Sequence, residues 1–195
     1  MARPKGFDPE EAVDRAIEYF SRHTYRATSV RDLARHMGIN SSSLYNTFGD
    51  KHRVYLLALA RYLERLQAEQ GRIYSQTEAS VEGLYGVLHL AMDSYLAGPQ
   101  GRDWGMFAVN ATFEMILDDP EVRELLMCNH QAFRSILEAF FTRCQASGTV
   151  PAGRSPQALA RFMVGVISSL TTLARLEPDR EVLEDMISVA LDALA

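Results

Sequence analysis

The stretch Thr28-Ser-Val-Arg-Asp-Leu-Ala-Arg-His-Met-Gly38-Ile39-Asn40-Ser-Ser-Ser-Leu44-Tyr45-Asn-Thr-Phe48-Gly-Asp-Lys51 decides the fold of the N-terminal third. It spells two short helices joined by a glycine turn. Val30, Leu33, Ala34 and Met37 recur at helical spacing, and Thr28 stands before them as a cap. Ala34 is small where two helices must come close. Gly38 follows the last apolar residue, where a left-handed backbone reverses the chain. Asn40 caps the second helix, with Ile39 before the cap and Leu44 four residues after it as a hydrophobic staple. Leu44 and Phe48 anchor that helix on one side, which leaves Ser41, Ser42, Ser43, Tyr45, Asn46 and Thr47 on the other. Short hydrogen-bonding side chains at the start of an exposed helix let it lie deep in a DNA major groove and meet base edges.

The flanking residues complete a small domain. Phe7-Asp8-Pro9-Glu10-Glu11 is a helix start, with Asp8 as cap, Pro9 at the first helical position and Glu11 closing a capping box. Ala12, Val13, Ala16, Ile17 and Phe20 continue that helix as an apolar stripe able to cover the two shorter helices. Gly49-Asp50 ends the second short helix and opens a fourth, which carries Val54, Tyr55, Leu57, Ala58, Tyr62 and Leu63.

Residues 8–63 resemble the DNA-binding domain of the TetR/AcrR family of transcriptional regulators, through the opening helix, the Thr28-to-Gly38 segment and the string Leu44-Tyr45-x-x-Phe48-x-x-Lys51. The resemblance implies phosphate contacts from Tyr45 and Lys51, Thr28 at a helix N-terminus facing phosphate with Ser29 beside it, and Ser41 and Ser42 at base-reading positions. Ser43, Asn46 and Thr47 complete the expected DNA face; Thr47 stands where the family often has a histidine. A helix, glycine and helix arrangement alone occurs in many all-α proteins. What separates this chain from them is the cap, staple, turn and Leu-Tyr-x-x-Phe-x-x-Lys string in one order.

Charge divides along the chain. The net charge of −5 looks unsuited to DNA, but residues 1–65 hold 11 Lys and Arg against 8 Asp and Glu, and residues 66–195 hold 9 against 17. The head is therefore +3 and the body −8. Asp8, Glu10, Glu11 and Asp14 sit where they favour a helix N-terminus. Arg3 and Lys5 precede the first helix in a tail able to reach a phosphate or a minor groove, or simply a disordered basic tail. No apolar leader or transmembrane span is read, so a cytoplasmic protein without a membrane partner is expected. Cys128 and Cys144 lack any metal-ligand spacing. On one helix they stand about 24 Å apart, too far for an internal disulfide, and both read as packing residues.

The rest of the chain reads as helices, about nine in all, so the fold class is all-α. The expected division is a DNA-binding domain over 1–52 and a ligand-binding and dimerisation domain over 53–195. Helices are expected near Val81–Leu96, Trp104–Ile116, from the Asp119 cap to Ser147-Gly148, and over Pro156–Leu176 and Asp179–Leu194. Trp104 to Glu114, followed by Asp118-Asp-Pro-Glu-Val122, also resembles a stretch found in one group of TetR regulators. Where many of these have a Gly-Cys pair, this chain has Gly105-Met106, so cysteine sensing does not carry over to that position.

These patterns lead to a ligand-responsive regulator, a repressor in the first reading, that binds palindromic DNA as a homodimer and is released by a small organic effector. Phe162, Gly165, Val166, Ser169 and Leu173, with Met186, Val189 and Ala190, form the expected subunit interface, because small residues among apolar ones let a second helix approach. Tyr85, His89, Trp104, Phe107, Asn110, Glu114 and His130 are the expected effector pocket, an apolar wall with a few polar groups. No cofactor or metal is expected, and no nucleophile elbow or phosphate loop points to an enzyme. A thiol-based redox or electrophile sensor of the same fold, using Cys128 or Cys144, is the alternative.

Overall fold

In the computed structural model, which describes residues 7–97 and 106–194, every regular element is a helix. In chain order these are α1 (Pro9–Arg22), α2 (Val30–His36), α3 (Ser41–Phe48), α4 (Lys51–Gln76), α5 (Val81–Leu96), α6 (Met106–Met115), α7 (Pro120–Ala146), α8 (Pro156–Leu176) and α9 (Arg180–Asp192). Arg3, Lys5, Trp104 and Gly105 lie outside the described residues.

The helix boundaries follow from local chemistry. Asp8 accepts the N–H of Glu10 and Pro9 opens α1, while Glu11 pairs with Arg15 four residues on instead of closing a capping box. The cap of α2 is Ser29, not Thr28. The Ser29 hydroxyl accepts the Asp32 N–H, whereas Thr28 is buried and turns its hydroxyl to the Thr24 carbonyl. Asn40 accepts the Ser43 N–H at 2.7 Å and so starts α3. Between them Gly38 takes φ +74°, a conformation that a side chain would strain. The Ile39 N–H returns to the Ala34 carbonyl across this turn, which closes the C-terminus of α2.

The chain packs as two compact units. The first comprises α1, α2, α3, α4 up to Glu64, α6, and α7 up to Leu126. Its core holds Ala16, Phe20, Leu33, Met37, Leu44, Tyr55, Leu59 and Phe107, all 2% exposed or less, and each large side chain so buried contributes roughly 1.5–3 kcal/mol. α1 packs on both α2 and α6. Chain order would assign α6 to the C-terminal body, but its apolar face is committed to this unit.

The second unit comprises α4 from Arg65, α5, α7 from Met127, α8 and α9. α5, α8 and α9 pack against one another. Leu84, Leu88 and Met92 of α5 meet Leu137, Phe140 and Phe141 of α7, Met163 and Leu170 of α8, and Leu183 and Ile187 of α9 in one core. Contrary to the sequence reading, α8 is long and apolar enough to cross a membrane by length and composition. A core helix passes the same test, and Leu159, Ala160, Met163, Val164, Val166 and Leu170 of α8 are buried in this unit.

Candidate nucleic-acid interface

The outer face of α3, the candidate DNA-facing surface, is set by what holds the helix from behind. Leu44 is completely buried and Phe48 nearly so, and the Phe48 ring lies 6.5 Å from that of Phe7. With that side fixed, Ser42, Tyr45 and Asn46 are exposed and Ser41, Ser43 and Thr47 are half-buried. Tyr45 is 52% exposed, so its ring and hydroxyl are open to a partner on this face. A short helix with only one apolar edge and a polar outer row is the shape a major groove accepts.

Two of the expected phosphate contacts sit differently from the sequence reading. Thr28 has no free hydroxyl at the surface, because burial and the Thr24 carbonyl take it; Ser29 is the exposed hydroxyl at the start of α2. The Ser29 hydroxyl also bonds the Asp32 carboxylate at 2.6 Å and holds that carboxyl below its ordinary range. Lys51 is half-buried. Its Nζ donates to the carbonyls of Tyr25 and Thr28, both at 2.8 Å, and lies 4.1 Å from the centre of the Tyr25 ring. Burial lowers its pKa, and two of its three N–H donors are used inside the fold. The sequence reading passed over Arg31 on α2 and Arg53 on α4, which are exposed and hold no ion pair among the described residues. They figured only in the charge count. Arg61, by contrast, is neutralised by Glu10 and Asp14.

The residues expected to line an effector face on α6 have other partners. Phe107 is fully buried among Phe20, Tyr55 and Tyr62, with ring centres 5.8, 5.3 and 5.4 Å away. The Asn110 amide donates to the Ser21 carbonyl at 3.3 Å. Glu114 accepts two consecutive backbone N–H groups, Tyr25 at 2.7 Å and Arg26 at 2.6 Å. One helical face does carry all three, as the spacing indicates, but it faces the first unit's core and loop, where backbone donors satisfy the carboxylate. Burial pushes the Tyr55 hydroxyl well above its ordinary pKa, and its oxygen has no hydrogen-bond partner among the described residues.

Of the other pocket residues, Tyr85 and His89 share α5 with ring centres 4.0 Å apart, and His130 is exposed on α7. Among the described residues of the second unit, the buried amide oxygens Gln70 Oε1 and Asn129 Oδ1 have no hydrogen-bond partner, and periodicity does not single them out. The expected interface residues split in two. Phe162, Gly165, Ser169 and Val189 are exposed, Val189 at 70%, whereas Val166 and Ala190 are buried in the unit's own core and Leu173 and Met186 pack against it. Val166 and Ala190 are thus corrected to core residues. Cys128 is exposed, against expectation, while Cys144 is buried, and burial raises its thiol pKa away from the reactive thiolate.

His52, Asp119 and Glu121 bring donor atoms within 4.8 Å of one another. Asp119 Oδ1 accepts the N–H groups of Glu121 and Val122 at the start of α7, and Oδ2 lies 2.6 Å from His52 Nε2. This is a helix cap joined to a histidine–carboxylate hydrogen bond. Burial raises the Asp119 pKa, but the Val122 N–H, His52 and the Glu121 N–H outweigh it and hold the carboxyl below its ordinary value. A carboxyl lowered by folding stabilises the protein fully above its unfolded pKa, near 4, and that stability is lost as pH falls through the lower folded value. Asp119→Asn should therefore unfold at lower urea than the parent at pH 7, with the gap closing below about pH 4. A gap that stays constant down to pH 3 would remove the carboxylate from the account.

Residues 12–56 match the family description of bacterial regulatory proteins of the tetR family, and residues 87–190 match the tetracyclin repressor-like C-terminal domain. The chain is 29% identical over 198 residues to the "Uncharacterized HTH-type transcriptional regulator YezE" of Bacillus subtilis (strain 168), with 100% of both chains covered. It is 28% identical over 173 residues to the HTH-type transcriptional repressor ComR of Escherichia coli (strain K12), covering 89% of this chain and 82% of that one. Among solved structures, a cysteine mutant of the TetR family transcriptional regulator CifR complexed with 26bp double-strand operator DNA has a TM-score of 0.79 at 25% identity, over 100% of both chains. The C-terminal match by itself spans more than half of the sequence, and the N-terminal match contains α2, the Gly38 turn and α3. This chain belongs to the tetR family of bacterial DNA-binding transcriptional regulators, and is a regulator and not an enzyme.

Proposed function

We propose that this regulator is a repressor that binds palindromic operator DNA as a homodimer and leaves it when a small organic effector binds. The observation that carries the reading is the one-sidedness of α3, with Leu44 and Phe48 buried and Ser42, Tyr45 and Asn46 presented outward. A helix this short reads few bases. Two copies on successive major-groove faces, about 34–36 Å apart, supply the missing specificity, and that geometry requires a two-fold dimer. The exposed Phe162, Gly165, Ser169 and Val189 face of α8 and α9 is the surface that would join the protomers. ComR is named a repressor, and CifR is bound to operator DNA in the solved complex. A protein that reads bacterial operators works in the cytoplasm.

In this scheme DNA reading belongs to residues 1–52, while 53–195 hold the effector and the dimer surface. Effector binding is a population shift. The ligand favours a state in which the two recognition helices no longer match the groove spacing, and contacts on both half-sites weaken together. Within the second unit, the Tyr85 and His89 pair on α5 sets an aromatic ring beside an imidazole, which suits a mostly apolar molecule carrying a hydrogen-bonding group.

Selection of bound duplexes from a random pool tests the whole reading. An enriched inverted repeat is the expected result; enrichment of a single unrepeated site would contradict the dimer. The same duplexes test Tyr45. Tyr45→Phe should weaken binding roughly tenfold per half-site, by about the same factor on selected and random DNA, since a phosphate contact positions without reading bases. A change in base preference at unchanged affinity for random DNA would make Tyr45 a base reader instead.

A further inference from the structure

We propose that Glu114 is a positioning residue for DNA recognition, holding the loop between α1 and α2 in the shape that lets α2 and α3 dock. The assignment goes beyond the repressor reading and rests on one part of it, the docking of α2 and α3 on DNA. Two consecutive backbone N–H groups, those of Tyr25 and Arg26, converge on the two oxygens of one carboxylate at 2.7 and 2.6 Å. Converging amides form an anion-binding concavity, and charge-assisted bonds of this length are the strong class. Here the anion comes from α6, nearly ninety residues further along the chain.

The other side of the same loop is held by a cation. Lys51 donates to the Tyr25 and Thr28 carbonyls, and Lys51 is the first residue of α4, three residues after α3 ends at Phe48. The loop leads into α2 at the Ser29 cap, directly after Thr28. Two of its donors are thus fixed by Glu114 and two of its acceptors by Lys51, so the start of α2 and the end of α3 share one scaffold. Glu114 touches no DNA in this account; it acts through the loop. Its neighbour Asp118 pairs with Arg26 at 2.7 Å, but both side chains are about two-thirds exposed, and such a pair contributes little.

Glu114→Gln is isosteric and removes the charge, and it faces one of the two N–H groups with an amide donor in place of an acceptor. Full-length parent, Glu114→Gln, Glu114→Asp and Asp118→Ala proteins are compared in binding to an operator selected from random duplexes and to a random duplex. Amide exchange at Tyr25 and Arg26 is followed in parallel. Losing one or two charge-assisted bonds that hold a docking loop predicts at least about a tenfold loss of operator affinity in Glu114→Gln. Random-duplex affinity should stay within about threefold, because non-specific attraction depends on charge more than on docking geometry. The two amides should exchange faster, Glu114→Asp should fall between, and Asp118→Ala should stay within about twofold. Operator affinity unchanged in Glu114→Gln overturns the proposal. An equal loss on operator and random DNA does so as well, since it marks general damage to the head. If Glu114→Gln does not fold, the shortened Glu114→Asp side chain decides by the same ratio of affinities.

Discussion

Phe107→Ala is expected to destabilise the DNA-binding unit by about 3–5 kcal/mol, the range for removing a fully buried aromatic ring. Phe107 has no exposed surface and its ring meets those of Phe20, Tyr55 and Tyr62, which are themselves buried. These four come from α1, α4 and α6, so removing the shared ring opens a cavity where all three helices meet. A domain of this size is stable by only about 5–15 kcal/mol, which makes such a loss a large part of the total. The less severe truncation Phe107→Leu, which leaves a smaller cavity, should cost less than the alanine variant. Urea unfolding followed by amide exchange in α1 and α6 measures the effect. A cost below about 1 kcal/mol for the alanine variant would mean that α6 is not part of the head's core, and would also weaken the role assigned to Glu114, about two turns along the same helical face.

How far the sequence carried the argument depends on the range of each interaction. The α2, Gly38 and α3 unit was legible because caps, turns and apolar spacing act within a few residues: Asn40 caps and Gly38 turns as read. Thr28 and Ser29 are adjacent hydroxyl residues, either of which can cap, and burial of Thr28 against the Thr24 carbonyl made the choice. Periodicity also put Phe107, Asn110 and Glu114 on one face. It could not name what that face meets, because the partners of Asn110 and Glu114 are a backbone carbonyl and two backbone N–H groups, which leave no mark in side-chain composition. α8 posed a similar problem. It carries apolar residues toward both the core and the surface, so Val166 and Phe162 read alike until packing separates them.

That separation makes Gly165→Arg a sharp test of the dimer. Nothing lies within 4 Å of a Cβ built at Gly165, so the protomer itself has room for the larger side chain. Arginine is also a better helix former than glycine by roughly 0.8 kcal/mol, and α8 should be no less stable for the change. The substitution sits on the exposed row with Phe162 and Ser169, where it would place a charged side chain from each protomer against the partner. Desolvating two like charges in an apolar interface is far costlier than the helix gain. The expected result is a folded monomer with an unfolding temperature at or above that expected for the isolated protomer. Operator affinity should drop by about 100-fold or more, since each recognition helix then binds without its tethered partner. Sedimentation and operator titration on the same preparation measure both. An intact dimer with parental operator affinity would move the interface off this face of α8, and the search would pass to the remaining exposed apolar residues of the second unit.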